Sequence, residues 1–325
     1  MNSKNNNNHK TGGTLPLVIV NPRSAGGSTG DSWASLASDL RAHFGAFNVA
    51  FTKAEGDGIT LARNAAESGR KFIIACGGDG TINEIANGIL LSGKDAELGI
   101  LPSGTGGDFR RSIRMPDEPR EAARALKGGK TRSIDVGKVT FQDFKGKQVS
   151  RYFLNISSFG LAASIIQRVK TSTSLDWLPV DLVRGPASFA LSTLQEVLGL
   201  DTTSVRVKID GGEERSLTTV NFCVANARYF GGGMMIAPKA KLADGRLDVV
   251  NIGDMKSAKI ILNVYTLYRG KHLSLPEVKA TRAKRIEARP LHPNHEIMIE
   301  VDGELPGKLP AVFEIVPSAL KLRIP

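Results

Sequence analysis

The 325-residue chain is 41% hydrophobic and 23% charged, the composition of a globular protein long enough to build two cores. It contains no run of about eighteen apolar residues, so no membrane-spanning helix is expected. Its formal charge of +11 predicts attraction to a polyanion. An anionic membrane surface fits this better than nucleic acid, because no RRM, KH or zinc-finger pattern is present.

Residues 1–14, MNSKNNNNHKTGGT, are Asn-rich and lack an apolar h-region, so they read as a disordered tail and not a signal peptide. An apolar strand over Leu15–Val20 then breaks into Asn21-Pro22-Arg23-Ser24-Ala25-Gly26-Gly27. Trp33, Leu36, Ala37, Leu40 and Phe44 share one helical face. A strand over Phe47–Thr52 follows, then a helix over about 59–68. The strand Lys71–Cys76 runs into Gly77-Gly78-Asp79-Gly80-Thr81 and a helix with Ile82, Ile85, Ala86 and Ile89 on one side. The strand Leu98–Leu101 runs into Pro102-Ser103-Gly104-Thr105-Gly106-Gly107-Asp108-Phe109, and a helix over about 117–127 closes the segment. Strands alternating with helices predict right-handed βαβ units and a parallel sheet with ligands at its carboxyl edge. The loops at Asn21, Thr52, Gly77 and Ser103 all leave that edge and should converge on one cleft.

After Gly128-Gly129 the pattern changes to short strands: Thr131–Thr140, Tyr152–Ser157, Val205–Ile209, Val220–Asn226, Leu247–Ile252, Arg285–Ala288, Ile297–Val301 and Val312–Val316. Polar turns such as DGGEE, ADGR and DGELPG separate them, which predicts a β-sandwich. Helical inserts are expected over about 180–199 and 257–269. Cys76 and Cys223 lie in apolar runs without metal or redox spacing, as in a reducing cytoplasmic compartment.

Glycine-rich loops that leave strands and enter helices suit phosphate, because the backbone can approach an anion closely and its N–H groups point one way. Asp79 and Asp108 would repel phosphate alone. They make sense if they hold Mg²⁺, directly or through water. No Gly-Lys-Ser/Thr follows any of these glycines, so neither loop is a Walker A loop.

The string GGDGTINEIANGI, followed by LGILPSGTGGDF, closely resembles the catalytic domain of the diacylglycerol kinase family. Within that family it is similar to the soluble bacterial lipid kinases related to sphingosine and ceramide kinases. The resemblance continues through Asn21-Pro22, Ser133-Ile134-Asp135-Val136-Gly137 and Tyr152-Phe153-Leu154-Asn155. Further along lie NARYFGGGM from Asn226, LADGRLD from Leu242, Arg269-Gly270-Lys271-His272 and Val301-Asp302-Gly303-Glu304, so coverage runs from about 15 to 325.

The fold it implies is α/β plus β. An N-terminal three-layer α/β domain of phosphofructokinase/NAD-kinase-like type would cover 15–130 and 317–325, and a C-terminal β-sandwich 131–316. The activity implied is ATP-dependent, Mg²⁺-dependent transfer of the γ-phosphoryl group to the hydroxyl of diacylglycerol or a related lipid alcohol. Asn21, Thr52, Gly77, Gly78, Asp79, Gly80, Thr81, Asn83, Ser103, Gly104 and Thr105 would surround the nucleotide. Asp79, Asp108 and Asp135 would form a water-mediated Mg²⁺ network at the phosphates. A second, structural cation would use Asp244 with the carbonyls of Lys241 and Arg246. The base would be Asp302 or Glu304, whose pKa values separate if one hydrogen-bonds the other. The family usually has Asn where this chain has Gly107, and Arg110 and Arg111 could supply charge to the phosphates instead.

The implied partner is lipid at an anionic surface, with peripheral membrane association, no nucleic acid, and a homodimer left open. From Lys256 to Arg289 there are nine Lys and Arg against Glu277 and Glu287, with Tyr265, Leu267 and Tyr268 between them, which suits such a surface. Two alternatives are a kinase of a water-soluble acceptor and a non-catalytic lipid- or nucleotide-binding regulator. NAD kinases and phosphofructokinases share GGDGT, but the second half resembles lipid kinases. A regulator predicts a broken catalytic set, whereas Asp79, Asp108, Asp302 and Glu304 are all present.

Overall fold

The computed structural model describes residues 15–104, 106–171, 199 and 202–325. Thr105 and all but Gly199 of the expected helical insert over 180–199 lie outside them. In the first lobe, β1 (Leu17–Val20), β2 (Asn48–Phe51), β3 (Phe72–Gly77) and β4 (Glu97–Pro102) are parallel, in the order β2-β1-β3-β4. The inner strands β3 and β4 are buried along their whole length, which is why they read as unbroken apolar runs. Helices α1 (Ser28–Phe44) and α5 (Pro119–Gly128) pack together, as do α2 (Asp57–Glu67) and α3 (Asp79–Ser92). Their apolar stripes (Leu36 and Leu40, Ala122 and Leu126, Ile82 and Ile85) join the sheet residues in one core. A short helix, α4 (Asp108–Ile113), which the sequence pattern does not predict, follows β4.

The second lobe is a two-layered sandwich. One layer runs β12 (Val278–Ala283), β11 (Leu247–Ile252), β10 (Asn221–Ala225), β7 (Ile156–Gly160), β14 (Met298–Val301) and the start of β15 (Glu304–Ile324). The other runs β6 (Gln148–Phe153), β5 (Lys130–Gln142), β15, β13 (Arg285–Pro290), β8 (Thr203–Ile209) and β9 (Arg215–Thr219). Phe141, Phe153, Phe159, Phe222, Ile286 and Phe313 fill the space between them. The first layer is also covered on its outer face. Phe222 and Val224 point into the sandwich, while Cys223 and Ala225 join a third cluster beneath α6 (Leu161–Thr171) and α7 (Ser257–Tyr268).

The structure differs from the sequence expectation at the strand expected over Tyr152–Ser157. It is two strands, β6 and β7, broken at Leu154-Asn155, where the backbone N–H groups turn to the Asp302 carboxylate. The strand expected over Val312–Val316 is part of the 21-residue β15. That strand runs from the second lobe into the first, where Lys321 and Leu322 pair in parallel with Glu97 and Leu98 of β4. It is antiparallel to β5 along its length, with a register shift between Val316 and Leu320.

Candidate functional site

Three strand-to-helix exits of the first lobe meet. The Asn21 N–H donates to the Cys76 carbonyl and the Ser103 N–H to the Gly77 carbonyl, each at 3.0 Å. The Asn21 side-chain amide donates to the Thr81 hydroxyl at 3.0 Å, so the first loop holds the start of α3. A Cβ on Gly104 would lie 2.6 Å from the Gly78 Cα, so the two glycine-rich loops touch backbone to backbone and only glycine fits there. Thr52 is buried at the end of β2, its N–H donating to the Val20 carbonyl at 2.9 Å. Thr29 in the first turn of α1, which the sequence reading missed, is buried and hydroxyl-bonded to Ser103.

Asp79 caps α4 across this junction. Its two carboxylate oxygens accept the N–H groups of Asp108 and Phe109, each at 3.0 Å. Asp108 in turn accepts from the Gly232 N–H at 2.9 Å and from Arg111 at 3.0 Å. Burial first, and then the charge of Asp79, push the Asp108 carboxyl up to about 6 against the pull of the Gly232 hydrogen bond. Two adjacent carboxylates, one with a raised pKa and both lining the same cavity, fit a divalent cation held by one or two carboxylates plus substrate phosphates. Among the described residues no cluster of three or more metal-ligating side chains occurs. Arg111 is committed to Asp108 and Arg110 reaches Asp117 at 3.2 Å. Gly107 adopts φ 64°, a left-handed conformation open to Gly and Asn, and a Cβ there would come 3.0 Å from the Arg110 Nε.

Asp135 makes its hydrogen bonds to other partners. It is buried at the junction of β5 with the β15 register shift, where its carboxylate accepts the N–H groups of Gly245 (2.7 Å) and Ser318 (2.8 Å). Asp244 accepts from the Arg246 N–H and faces the Arg282 guanidinium at 3.1 Å. A cation held there with the carbonyls of Lys241 and Arg246 would have to share this carboxylate with Arg282.

The facing wall of the site is built by the β14–β15 hairpin. Val301 pairs with Glu304, and Asp302 and Gly303 between them have φ 44° and 90°, the type I′ pattern that Asp-Gly favours. This turn faces inward. The Asp302 carboxylate accepts four hydrogen bonds: from Asn83 Nδ2 and the Leu154 N–H at 2.7 Å, the Asn155 N–H at 3.0 Å and the Ile156 N–H at 2.9 Å. Burial nevertheless carries its carboxyl up to about 6, with these hydrogen bonds pulling the other way. Asn83, expected beside the nucleotide, therefore spends its amide on Asp302 and the Tyr152 carbonyl. Glu304 points elsewhere, into an ion pair with Arg151 at 2.6 Å.

Above the hairpin lies a cavity of about 480 Å³ between the outer face of the sandwich and α6 and α7. Its walls are apolar, with Ile165, Ile166, Met234, Met255, Ile260 and Leu267 among them. Its polar lining includes Asp79, Asp108, Asn155, Glu300 and Asp302, so it brings the carboxylates of both lobes to one apolar chamber. Asn155 Oδ1 is buried without a hydrogen-bond partner. Glu300, which lines this cavity, is a second residue that sequence reasoning missed. Period-two alternation of Ile297, Ile299 and Val301 assigns it to a solvent face, but the covering by α6 and α7 buries it. The available signal was two carboxylates spaced i, i+2 around a Val just before the turn.

An α/β lobe with touching glycine loops, joined to a sandwich that carries a deep apolar chamber floored by carboxylates, defines a kinase of the glycine-loop class. Models of the diacylglycerol kinase catalytic domain and of the YegS C-terminal NAD kinase beta sandwich-like domain match residues 16–139 and 158–324. A Mycobacterium tuberculosis diacylglycerol kinase is 30% identical over 272 residues, 83% of this chain and 82% of that protein. A Bacillus subtilis diacylglycerol kinase is 29% identical over 263 residues, 81% and 80% of the two chains. A solved Bacillus anthracis structure, provisionally assigned as a diacylglycerol kinase, superposes with a TM-score of 0.74 at 26% identity, covering 97% of this chain and 99% of that one. The chain belongs to the diacylglycerol kinase family.

Proposed function

We propose that this kinase transfers the γ-phosphoryl group of ATP to the hydroxyl of diacylglycerol or a related lipid alcohol at a membrane surface. The observation that carries this reading is the chamber: apolar walls deep enough for acyl chain, ending at carboxylates beside the glycine loops. A water-soluble acceptor would leave those walls without a partner.

The loops around Gly78 and Gly104 offer backbone N–H groups to the polyphosphate, at the N-terminus of α3. Asp79 and Asp108 are the residues that would hold Mg²⁺, which neutralises charge on the phosphates when bound. The apolar walls exclude water from the acceptor end, and a carboxylate there accepts the hydroxyl proton.

Helix α7 supports the membrane part of the reading. Leu262, Tyr265 and Tyr268 are 73%, 56% and 53% exposed, while Ile260, Asn263 and Leu267 line the chamber. Arg269 stacks over Tyr265, and Lys256 and Lys271 flank the helix. A helix apolar on both sides with a basic border suits anionic lipid, each close Lys or Arg being worth about 1 kcal/mol.

The test is direct. Purified protein, ATP, Mg²⁺ and mixed micelles of diacylglycerol, a sphingoid base or ceramide are incubated, and lipid products are identified by mass. A phospholipid product is expected from one of them. No product across the panel overturns the reading.

A further inference from the structure

The backbone of Asn155 is pinned on both sides. At the β6–β7 break its N–H donates to Asp302 Oδ1 at 3.0 Å. Its carbonyl accepts the N–H groups of Asn226 at 2.8 Å and Ala227 at 3.0 Å. The residue is 6% exposed and lines the chamber. Its side chain, by contrast, is held by nothing. Oδ1 is sealed without a hydrogen-bond partner, and among the described residues Nδ2 donates to none. Burying an amide with neither end paired is costly, so the fold keeps this group against its own stability.

The other polar side chains of the chamber are committed. Asp302 accepts its four hydrogen bonds and clamps α3 to the β6–β7 break. Glu300 accepts from the Gly303 N–H and the Ser158 hydroxyl, both at 2.7 Å. Asn221 accepts the Ala162 N–H and turns its Nδ2 to the Cys223 sulfur, each at 2.9 Å. On α7, Asn263 donates to the Lys259 carbonyl and Thr266 to the Asn263 carbonyl. His272 spends Nε2 on the Ile236 carbonyl. Among the described residues, Asn155 is the polar side chain of the lining that makes no hydrogen bond.

Chemistry narrows what it would bind. The carboxylates in the lining can only accept when ionised, so they suit a hydroxyl or a cation and repel a carbonyl oxygen. A carboxamide carries two N–H donors, and both of those on Asn155 are free, one residue along from the Leu154 N–H that Asp302 holds. Acylglycerols and ceramides carry an ester or amide carbonyl close to the hydroxyl.

Resting on the lipid-kinase reading above, we propose that Asn155 is a substrate-binding residue that donates from Nδ2 to the ester or amide carbonyl beside the acceptor hydroxyl. It thereby selects acyl lipids over carbonyl-free ones. The lipid supplies the partner that the fold withholds. Because the backbone is fixed before lipid arrives, little ordering is left to be done on binding. A lipid held at its carbonyl, with its chain against the apolar walls, can turn only its hydroxyl towards the glycine loops.

The experiment compares dioctanoylglycerol with dioctylglycerol diether, which keeps the hydroxyl and both chains but lacks the carbonyls. Wild type, Asn155→Leu and Asn155→Ala are assayed with ATP and Mg²⁺ in mixed micelles. A site built around a hydrogen bond rejects the analogue that lacks it, so wild-type kcat/KM should favour the diester by about tenfold or more. In both variants the two lipids should come within about threefold of each other, through loss on the diester alone, with KM for ATP unchanged. If ceramide is the lipid phosphorylated, the sphingoid base takes the place of the diether. Leu fills nearly the same space without a polar atom, so Asn155→Leu should match or exceed the wild-type Tm. A purely structural amide would instead lower it.

If Asn155→Leu does not fold, that outcome itself contradicts an unpartnered amide. Equal use of the two lipids by wild type, or a preference that survives in both variants, overturns the inference and leaves a lipid kinase. So does a panel in which the sphingoid base alone is phosphorylated. A wild type that phosphorylates no lipid in the panel removes the functional reading itself.

Discussion

Asn83 on α3 donates its side-chain amide to Oδ2 of Asp302 at 2.7 Å, across 219 residues of sequence. This bond ties the helix that starts at the glycine loop to the hairpin that carries Asp302 and Glu304. The same amide serves the Tyr152 carbonyl, and Asn87 one turn on serves it too. The glycine loops of the first lobe and the hairpin of the second are therefore coupled through one helix face.

Removing the amide should be felt in both stability and turnover. Asn83→Ala leaves the Asp302 oxygen short of a donor, and unfolding free energy should drop by about 1–3 kcal/mol. Urea titration reads this, and kcat/KM for lipid should fall at least tenfold. Unchanged values of both would mean the bond is incidental. Asp302→Asn should abolish turnover and leave nucleotide binding, since one of its four acceptor positions becomes mismatched at the hairpin; persistent turnover would contradict the clamp.

The contact between the two glycine loops gives an asymmetric prediction. An added Cβ at Gly104 meets the Gly78 Cα at 2.6 Å, whereas one at Gly78 finds its nearest neighbour at 3.8 Å. Gly78 also has φ −85° and ψ −175°, an extended conformation that alanine adopts. Gly104→Ala should raise KM for ATP by at least tenfold, and Gly78→Ala should do so far less. Equal effects would show that the loops separate without cost.

Buried Glu300 makes a prediction about pH and stability that needs no substrate. Its folded pKa of about 8 lies above the ordinary 4.5. The stability it allows is present in full below about 4.5 and is lost as pH rises through about 8, because ionising it in the fold costs more than in the unfolded chain. Glu300→Gln, which cannot ionise, should match the wild-type Tm at pH 4 and exceed it at pH 9. A Tm difference independent of pH would place the charge in solvent.

The outer face of α7 can be tested apart from chemistry. Leu262→Asp together with Tyr265→Ser should weaken co-sedimentation with vesicles containing a third phosphatidylserine by about tenfold or more, without lowering Tm, because both side chains are exposed. Neutral vesicles should bind less well than anionic ones. Binding indifferent to both changes would remove α7 from the docking surface.

The donor half of the site was legible because its determinants are local. Glycine loops after apolar runs announce strand, loop and helix within ten residues, and Asn21, Gly77, Thr81, Ser103 and Gly104 do meet. The acceptor half was legible only as far as its turn. Asp302-Gly303 announced a hairpin, and the inward direction of its carboxylate depends on Leu154–Ile156, far away in sequence. Glu300 could not be read, since alternation on β14 says which residues share a face and not what covers it. Asp135 was recognisable as a marked residue, but its partners are backbone N–H groups of Gly245 and Ser318, which carry no side-chain signature.

The long strand β15 has a consequence for biosynthesis. β4 ends at Pro102, yet its parallel neighbour at Lys321 and Leu322 is made only after the whole sandwich. One edge of β4, whose other edge pairs with β3, is therefore left open on the ribosome while more than two hundred residues are added. Domains normally fold as units in the order of synthesis; here the first lobe must wait for the second, which couples the yield of one to the correct folding of the other.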